Sequence, residues 1–363
     1  MRASSLLASA LVVALSSTAL GGCIFSRAAG RSLGPLVSSP RKVAALDDPV
    51  AHGARLAVLW VGHATALVQI DDKFVLTDPV FTSSVGQLSK RLVEPGLDPR
   101  HLPPVDAVLV SHMHFDHLSY GSLDAIERKV RMLLMPRGGV AYLPDYSFPV
   151  VELGRWQAWE QGGLRVTAVP VEHMGFRYGI DAAWATESFT GYVIEYHGIK
   201  VYFGGDTAYD QKNFVETAER FPGIDLALLP IAPIEPRDFM RRYHLDPREA
   251  LQASVDLGAA RMVPIHYDTF VNATDRPGDA LRALRAAIAE RPREGRNIVP
   301  LAIGERRVLL DKGQPSASGP RPKESTGAAS PVPQPPPSGS SPAPKLRQQA
   351  PSKDETSDDD KLD

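Results

Sequence analysis

Three shortages in the sequence each exclude a class of protein. One cysteine, Cys23, is present among the 363 residues, so the chain cannot form an intramolecular disulfide and no thiolate of the folded domain can bind a metal. The formal net charge is only −2, which gives no indication of nucleic-acid binding. The apolar and small-residue run over 6–20 is too short for a comfortable membrane span. The sequence therefore indicates neither a disulfide scaffold, nor a nucleic-acid-binding protein, nor a membrane span over 6–20.

The N terminus has the order of features that is typical of an export signal. Arg2 supplies a positive charge, the run 6–20 supplies an apolar core, and the tetrapeptide Leu-Gly-Gly-Cys ending at Cys23 supplies a small-residue cleavage site. That tetrapeptide resembles a bacterial lipobox, which implies a lipoprotein signal peptide over 1–22 and lipidation of Cys23. We expect a lipid-anchored protein of the bacterial envelope on the periplasmic face. The outer membrane is favoured because the residue after the cysteine is Ile24 and not an aspartate. The alternative is an ordinary signal peptide with an unmodified cysteine.

Composition divides the rest of the chain into three parts. Residues 23–54 lack hydrophobic periodicity and are rich in Ser, Gly, Pro and Arg, which predicts a tether. Residues 313–363 contain the proline-rich run 331–337 and end in an acidic stretch, so they cannot bury a core and are predicted to be a disordered tail. The remaining residues, 55–312, have the length of one larger-than-average α/β domain.

Local patterns within 55–312 predict alternating strands and helices. The runs 56–60 and 65–70 read as strands on either side of Gly62-His63, and 65–70 continues through a hairpin turn at Asp71-Asp72 into the strand 74–77. The run 278–291 reads as an amphipathic helix. Asp246 followed by Pro247 and Glu249 is a helix-capping box, which explains the two acidic residues without a function.

The densest chemical signal is an H-x-H-x-D-H loop over 112–117, which contains His112, His114, Asp116 and His117 and is called the metal loop below. It follows the buried apolar strand 107–110, and loops at strand ends are where α/β proteins place their chemistry. Imidazoles and carboxylates suit zinc, and also iron or manganese. Four such groups exceed the needs of one open catalytic zinc, so we predict one half of a two-metal site. The alternative is a solvated loop with incidental histidines.

Further candidates follow later strands. His173 comes after the predicted strand 164–171, where a lone histidine is more often structural than a ligand. Asp206 follows Gly204-Gly205, which lets the backbone turn sharply, and its two carboxylate oxygens can bridge two cations. The alternative for Asp206 is a simple turn residue. His266 follows another buried strand.

These motifs together resemble the metallo-β-lactamase fold superfamily over residues 56–310. The resemblance is narrower to the branch that contains N-acylphosphatidylethanolamine-hydrolysing phospholipase D and its bacterial relatives, and more distantly to lactonases of sugar phosphates. It rests on the metal loop, on E-P-R-x-F-M over 235–240, on H-x-x-P-x-E-A over 244–250 and on I-H-x-x-T-F over 265–270. The resemblance implies an α/β fold, a four-layer αββα sandwich of two mixed sheets with outer helices.

The resemblance also assigns roles at the site. It implies two divalent metal ions, with zinc favoured over iron or manganese. The first ion would be held by His112, His114 and His173. The second ion would be held by Asp116, His117 and His266, with Asp206 bridging both and His244 binding the substrate beside them. Asp78 would hydrogen-bond to the metal loop, unless it is only a turn residue before proline, and His63 either lines the site mouth or is structural.

The implied activity is hydrolysis by a metal-bridging hydroxide, with Asp116, Asp206 and His244 as catalytic residues. Two cations about 3.5–4 Å apart lower the pKa of water and clamp the oxygens of a displacement. We expect a phosphodiesterase resembling phospholipase D, with a small-molecule or phospholipid substrate at the membrane that holds the anchor. The alternatives are a lactonase or other acyl or amide hydrolase, and a non-catalytic envelope lipoprotein. A redox di-iron role would require a glutamate in place of His114 and a flavin-binding domain.

Overall fold

A computed structural model describes residues 39–86, 89–178, 181, 188–271 and 273–317 of the chain. The predicted signal peptide, the predicted lipidation site Cys23, the first part of the predicted tether and most of the predicted tail lie outside these residues. Within the described ranges, no helix combines the length and the hydrophobicity that crossing a membrane requires.

Short hydrophobic runs form the strands. In chain order, the described strands are β1 (Ala54–Gly62), β2 (Thr65–Ile70), β3 (Lys73–Thr77), β4 (Ser84–Val85), β5 (Ser89–Lys90), β6 (Ala107–Leu109), β7 (Leu133–Pro136), β8 (Val150–Leu153), β9 (Ala158–Gln161), β10 (Leu164–Val169), β11 (Gly191–Tyr196), β12 (Ile199–Phe203), β13 (Leu226–Pro230), β14 (Met262–Ile265) and β15 (Arg306–Asp311). All six residues of β2 are buried, which is expected of a strand covered on both faces.

The helices are short and lie between the strands. In chain order, the described α-helices are α1 (Tyr120–Ile126), α2 (Gln211–Arg220), α3 (Arg237–Met240), α4 (Pro247–Asp256), α5 (Asp279–Glu290) and α6 (Pro292–Gly295), and 3-10 turns occur at Pro99–His101, Glu127–Lys129 and Gly139–Tyr142. Helix α4 begins with the predicted capping box. The Asp246 carboxylate accepts a hydrogen bond from the backbone N–H of Glu249, and the Glu249 carboxylate accepts one from the backbone N–H of Asp246. Helix α5 matches the predicted amphipathic helix to within one residue at each end.

The strands form two large sheets that are both mixed. The first sheet has seven strands in the order β15-β1-β2-β3-β6-β7-β8, and the second has six in the order β14-β13-β12-β11-β10-β9. In the first sheet, β3, β6, β7 and β8 run parallel, and in the second, β12, β13 and β14 run parallel. The other pairs of both sheets are antiparallel. Strands β4 and β5 form a separate small ribbon.

Alternation along β1 shows how the layers are built. Val58 and Trp60 belong to the core cluster shared by the two sheets, whereas Leu59 and Val61 belong to a second cluster on the outer face of the first sheet. That outer cluster includes Leu123 and other residues of α1. Helices α2, α4 and α5 contribute to the cluster that contains the second sheet. The predicted αββα sandwich is therefore confirmed.

Part of the segment predicted as a tether over 23–54 contacts the domain. Arg41 forms a bridge with Val93, and the backbone of Ala51 exchanges two hydrogen bonds with the side-chain amide of Gln69. Ala51 is buried beside the first residues of β1. Segment composition does not reveal this docking, because it depends on one small buried residue and on partners far along the chain.

The first residues of the predicted tail over 313–363 also contact the domain. The carbonyl oxygen of Gln314 accepts a hydrogen bond from Arg55 at 2.9 Å, and the backbone of Ala317 donates to the carboxylate of Asp225. The described part of the domain therefore continues to Ala317.

The ends of the strands bring the candidate residues to one edge of the sandwich. The carboxyl ends of β1, β3 and β6 lead to His63, Asp78 and the metal loop. The carboxyl ends of β12 and β14 lead to Asp206 and His266. Both sheets therefore contribute to one site, as expected for ligand sites at strand ends.

Candidate metal centre

The metal loop is attached to both sheets. The backbone N–H of Thr190, just before β11, donates a hydrogen bond to the carbonyl oxygen of Ser111 at 2.9 Å. His112 and Phe189 form an isolated antiparallel β-bridge. Gly205 has φ +58°, and a β-carbon on it would lie 2.4 Å from the β-carbon of Ser111. Glycine is therefore required there for the two segments to approach, and its positive φ gives the sharp turn that the sequence predicts.

The first donor cluster contains His112, His114 and His173, whose ligand atoms all lie within 4.8 Å of one another. Nε2 of His112 lies 2.8 Å from Nδ1 of His114. His173 donates from Nδ1 to the carbonyl oxygen of Tyr243 at 2.9 Å, and its buried Nε2 has no hydrogen-bond partner. The structure thus brings together the three residues predicted for the first ion.

The second cluster contains the three residues predicted for the second ion and one more. Asp116, His117 and His266 lie together with His63, again with ligand atoms within 4.8 Å of one another. Nε2 of His117 lies 3.2 Å from Nε2 of His266, and Oδ2 of Asp116 lies 3.8 Å from both nitrogens. His63 is the member whose role the sequence left undecided.

Asp206 lies between the two clusters. Its Oδ1 is 3.1 Å from Nε2 of His266, and its Oδ2 is 3.3 Å from Nε2 of His117 and 4.0 Å from Nε2 of His173. The side chain is 3% exposed, so these contacts occur away from solvent. One carboxylate thus faces both groups of nitrogens, which is the placement predicted for a bridging ligand.

Asp78 orients the metal loop through hydrogen bonds to Ser111 and His117. Its Oδ1 accepts from the backbone of Ser111 at 2.7 Å, and its Oδ2 accepts from the Ser111 hydroxyl and from Nδ1 of His117, both at 2.6 Å. The predicted hydrogen bond from Asp78 to the metal loop is therefore present. Asp78 also has φ +31°, which is unusual for a residue other than glycine.

His244 reaches the clusters from the segment before α4. Its Nδ1 lies 3.6 Å from Oδ2 of Asp206, and the ring is 5.2 Å from the ring of His173. Its side chain is 15% exposed, unlike that of Asp206, so it has access to the mouth of the site. The structure therefore places His244 beside the donor clusters, where the sequence predicts a substrate-binding residue.

Arg177 clamps the metal loop and is a residue that the sequence analysis missed. Its Nη1 donates at 2.9 Å to the carbonyl oxygens of Met113 and Leu118, which lie within and just after the loop. The guanidinium also lies 4.3 Å from the ring of Phe115 and 4.2 Å from the ring of Tyr120. No local pattern marks an isolated arginine in an irregular segment for this role.

Burial keeps several of the histidines unprotonated. Burial lowers the pKa of His112, His114 and His173, and it lowers the pKa of His244 to about 4. A neutral imidazole offers one lone pair, and the lone pair is what a cation binds.

His117 is the exception among these histidines. Burial lowers its pKa, but the carboxylates of Asp206, Asp116 and Asp78 raise it further, and the net result is a pKa well above the ordinary value. A proton on His117 therefore balances the buried carboxylates, and a bound cation would take over that role.

The residues fit a pair of cations such as zinc. The donors are imidazole nitrogens and carboxylate oxygens, which zinc, iron and manganese accept in proteins. Three buried atoms at the centre have no hydrogen-bond partner, namely Nε2 of His173, Oδ1 of Asp206 and Nδ1 of His244. Native proteins rarely leave such atoms unpaired, so the unpaired atoms point to bound ligands.

Comparison with known proteins agrees with this geometry. Residues 73–267, more than half of the chain, match the family described as the beta-lactamase superfamily domain. An uncharacterised protein of Mycobacterium tuberculosis is 35% identical over 247 residues, covering 64% of this chain and 64% of that protein. N-acyl-phosphatidylethanolamine-hydrolyzing phospholipase D 1 of Caenorhabditis elegans is 31% identical over 257 residues, covering 64% of this chain and 70% of that protein.

A solved structure shows the same fold. The crystal structure of a possible metal-dependent hydrolase from Veillonella parvula superposes with a TM-score of 0.56 at 18% sequence identity, covering 70% of this chain and 99% of that one. The chain spans only about 64% of the length of its mycobacterial relative. The family match and the shared fold together show that the chain belongs to the metallo-β-lactamase superfamily.

Proposed function

We propose that the chain is a metal-dependent hydrolase with a two-cation centre, and that it cleaves phosphodiesters of the phospholipid type. The observation that carries this proposal is that the histidines use one ring nitrogen to bond to a neighbouring acceptor and turn the other toward the centre. Nδ1 of His173 faces the carbonyl oxygen of Tyr243 at 2.9 Å, and Nδ1 of His266 faces that of Ala232 at 3.0 Å. A carbonyl oxygen only accepts, so both rings carry their proton on Nδ1 and aim the Nε2 lone pair at the centre.

The same division holds for two residues of the metal loop. Nδ1 of His117 faces the Asp78 carboxylate, and Nδ1 of His112 lies 3.0 Å from the Ser111 hydroxyl. Histidines that bind metals usually donate their other ring N–H in this way, which fixes both the tautomer and the ring orientation. Four imidazoles thus present Nε2 inward from separate parts of the chain.

Each cation would have its own set of donors. We propose that His112, His114 and His173 hold the first, that Asp116, His117 and His266 hold the second, and that Asp206 faces both. When bound, two divalent ions, with zinc favoured, would supply Lewis-acid polarisation of a phosphoryl or carbonyl oxygen and would lower the pKa of water toward about 7.

The chain's own residues then order the site and stabilise the developing charge. Asp206 directs Oδ1 toward His266 and Oδ2 toward both His117 and His173, so one carboxylate links the two donor sets. His244 lies at the exposed side of Asp206, where a substrate enters. Because burial lowers the pKa of His244 to about 4, the ring is neutral at pH 7 and acts by donating a hydrogen bond to the substrate rather than by releasing a full proton.

Two observations support a phosphodiester substrate. The relative in Caenorhabditis elegans is named as a phospholipase D that hydrolyses an N-acyl-phosphatidylethanolamine. The rim of the site carries exposed aromatic side chains, with Phe115 37% and Tyr178 59% exposed, and their rings lie 5.9 Å apart. Apolar rings beside a polar centre suit an amphiphilic substrate better than a small soluble ester.

We also propose that the protein acts at the bacterial envelope. The support is the lipobox-like sequence that ends at Cys23, which would anchor the enzyme to the membrane that contains such substrates. The resulting location would be the periplasmic face of the outer membrane.

The test is a hydrolysis screen of the zinc-loaded full chain across phosphodiesters, phospholipids and lactones, with elemental analysis of the same samples. We expect about two cations per chain and hydrolysis of phosphodiesters, with His112→Ala losing metal and activity together. His197→Ala is the matched control, because this histidine lies at the opposite end of β12 from Asp206 and is solvent-exposed. Metal content well below one ion per chain would refute the proposal, and hydrolysis of lactones alone would assign the site to acyl transfer.

A further inference from the structure

His63 occupies a strained position that the surrounding residues hold in place. It follows β1 with φ +55°, and its side chain is completely buried. Its backbone N–H donates to the Thr269 hydroxyl at 2.6 Å, and its carbonyl oxygen accepts from the backbone of His266 and the indole of Trp60, both at 2.9 Å. A residue other than glycine in this conformation is strained and persists only where the surrounding structure holds it, which commonly occurs at functional sites.

The imidazole of His63 faces Asp116 of the second cluster. Its Nε2 lies 2.9 Å from Oδ2 of Asp116, and its ring centroid lies 3.9 Å from that of His266. The Asp116 side chain is 29% exposed, so its carboxylate has room to turn toward solvent. Its contact with His63 holds it on the side of the donor nitrogens.

His63 differs from the proposed ligands in the direction of its proton. Four of the five proposed histidine ligands keep the proton on Nδ1 and aim the lone pair of Nε2 inward, whereas a carboxylate next to Nε2 of His63 requires the proton on that nitrogen. Nδ1 of His63 then carries the lone pair and has no hydrogen-bond partner.

We propose that His63 is a positioning residue rather than a ligand. By donating its Nε2–H to Oδ2 of Asp116, it fixes the carboxylate toward His117 and His266 and so determines how tightly the second cation is held. This inference rests on the proposed function, because it assumes that the second cluster binds a cation. Partners of this kind, one bond removed from the ion, typically change metal affinity about 10- to 100-fold when they are lost.

Two substitutions separate hydrogen bonding from packing. His63→Gln keeps an N–H donor at a similar reach, whereas His63→Met fills similar space without a donor. Both carry a β-carbon into the same strained backbone, so the strain is common to the two variants. Zinc affinity of the full chain is measured by competition with a chelator, and metal content is measured by elemental analysis.

We expect His63→Met to bind the second zinc ion roughly 10- to 100-fold more weakly than the wild type while keeping the first, and His63→Gln to stay within a few fold of the wild type. An equal loss of zinc affinity in both variants would overturn the proposal. It would show that the imidazole ring acts as a ligand or through its packing, and not as a hydrogen-bond donor. Wild-type affinity in both variants would overturn it as well. If the wild-type chain itself binds fewer than two ions, the two-cation centre fails and this inference fails with it.

A milder variant covers the case in which neither substitution folds. Thr269→Val removes the hydroxyl that holds the backbone of His63 and leaves both the His63 ring and Asp116 unchanged. We expect a smaller loss of affinity for the second zinc ion with the first ion retained. Unchanged affinity in this variant would contradict the proposal.

Discussion

The guanidinium of Arg237 donates from Nη1 to the carbonyl oxygen of His244 at 3.1 Å. The same group forms an ion pair with Glu249 and lies 3.4 Å from the carboxylate of Asp246. The two acidic residues of the capping box therefore have a second role, which is to hold the arginine that positions the segment carrying His244. The sequence analysis assigned them no function, because their helix-capping role already explained them.

Replacement of Arg237 tests that relationship. Arg237→Gln removes the hydrogen bond to His244 and both ion pairs, so His244 is no longer held beside Asp206. We expect turnover to fall roughly 10- to 100-fold with metal content unchanged, since small misplacements of a reacting group are costly. Steady-state kinetics and elemental analysis provide the readouts. Arg248→Gln is the control, because Arg248 pairs with Glu290 at the surface, and comparable losses in the two variants would refute the role of Arg237.

His244 and His266 should separate activity from metal binding. His244→Ala should retain near wild-type metal content and lose turnover roughly 10²–10³-fold, because the ring stabilises charge that develops in the transition state. His266→Ala should instead lose the second ion, since its Nε2 belongs to the second cluster. Metal analysis beside turnover on the best substrate of the screen decides between them. Loss of metal in His244→Ala with retention in His266→Ala would show that the two roles are exchanged.

Metal removal should destabilise the fold. Ions that bind only the folded state stabilise it by mass action, by about 2.7 kcal/mol per site when free metal is 100 times the dissociation constant. We therefore expect a chelator to lower the melting temperature and added zinc to restore it. His112→Ala should respond less to the chelator than the wild type. A melting temperature that does not depend on chelator in the wild type would contradict binding at these clusters.

Membrane attachment should depend on the predicted lipidation site. Cys23→Ala removes the thiol that would carry the lipid and leaves residues 55–312 intact. We expect the wild type in the membrane fraction and the variant in the soluble fraction after cell disruption. Identical fractionation of the two proteins as soluble material would disprove the lipobox interpretation.

The proline-rich tail should be dispensable if it is cut at the right place. Deletion of residues 318–363 removes the predicted disordered segment but keeps Gln314 and Ala317, which contact Arg55 and Asp225. We expect melting temperature and turnover to stay nearly unchanged, since the deleted segment has no apolar face to dock. A deletion that begins at Gln314 provides the comparison and should lower the melting temperature. A clear drop on deletion of 318–363 alone would show that the tail packs.

Most of the fold could be predicted from the sequence, because the strands are hydrophobic runs and Gly, Asp and Pro residues mark the turns between them. Strands β2 and β10 and helix α5 follow from hydrophobic period, and the start of helix α4 follows from its capping box. Strand β9 was not predicted, because its sequence Ala-Trp-Glu-Gln lies at the edge of its sheet and is largely exposed. An exposed edge strand has no hydrophobic alternation by which to recognise it.

The limits at the site have a similar physical origin. The seven predicted ligands are distinctive because dense histidine and aspartate motifs are rare, and the structure brings all seven together. Arg177, Arg237 and His63 act through backbone carbonyls or through one carboxylate of another segment. Such contacts depend on which loops meet in space, and spacing along the chain does not encode that.

The approach of Gly205 to Ser111 has a consequence for how this enzyme could diversify. A β-carbon on residue 205 would lie 2.4 Å from the β-carbon of Ser111, so the segment that leads to Asp206 can approach the metal loop only while residue 205 is glycine. Tyr178 lies outside both of these segments and is 59% exposed, so its substitution would alter the rim of the site without disturbing that approach. The proposed metal ligands and this part of the rim therefore lie in different segments, and a change at Tyr178 could alter the range of accepted molecules while the donor clusters stay intact.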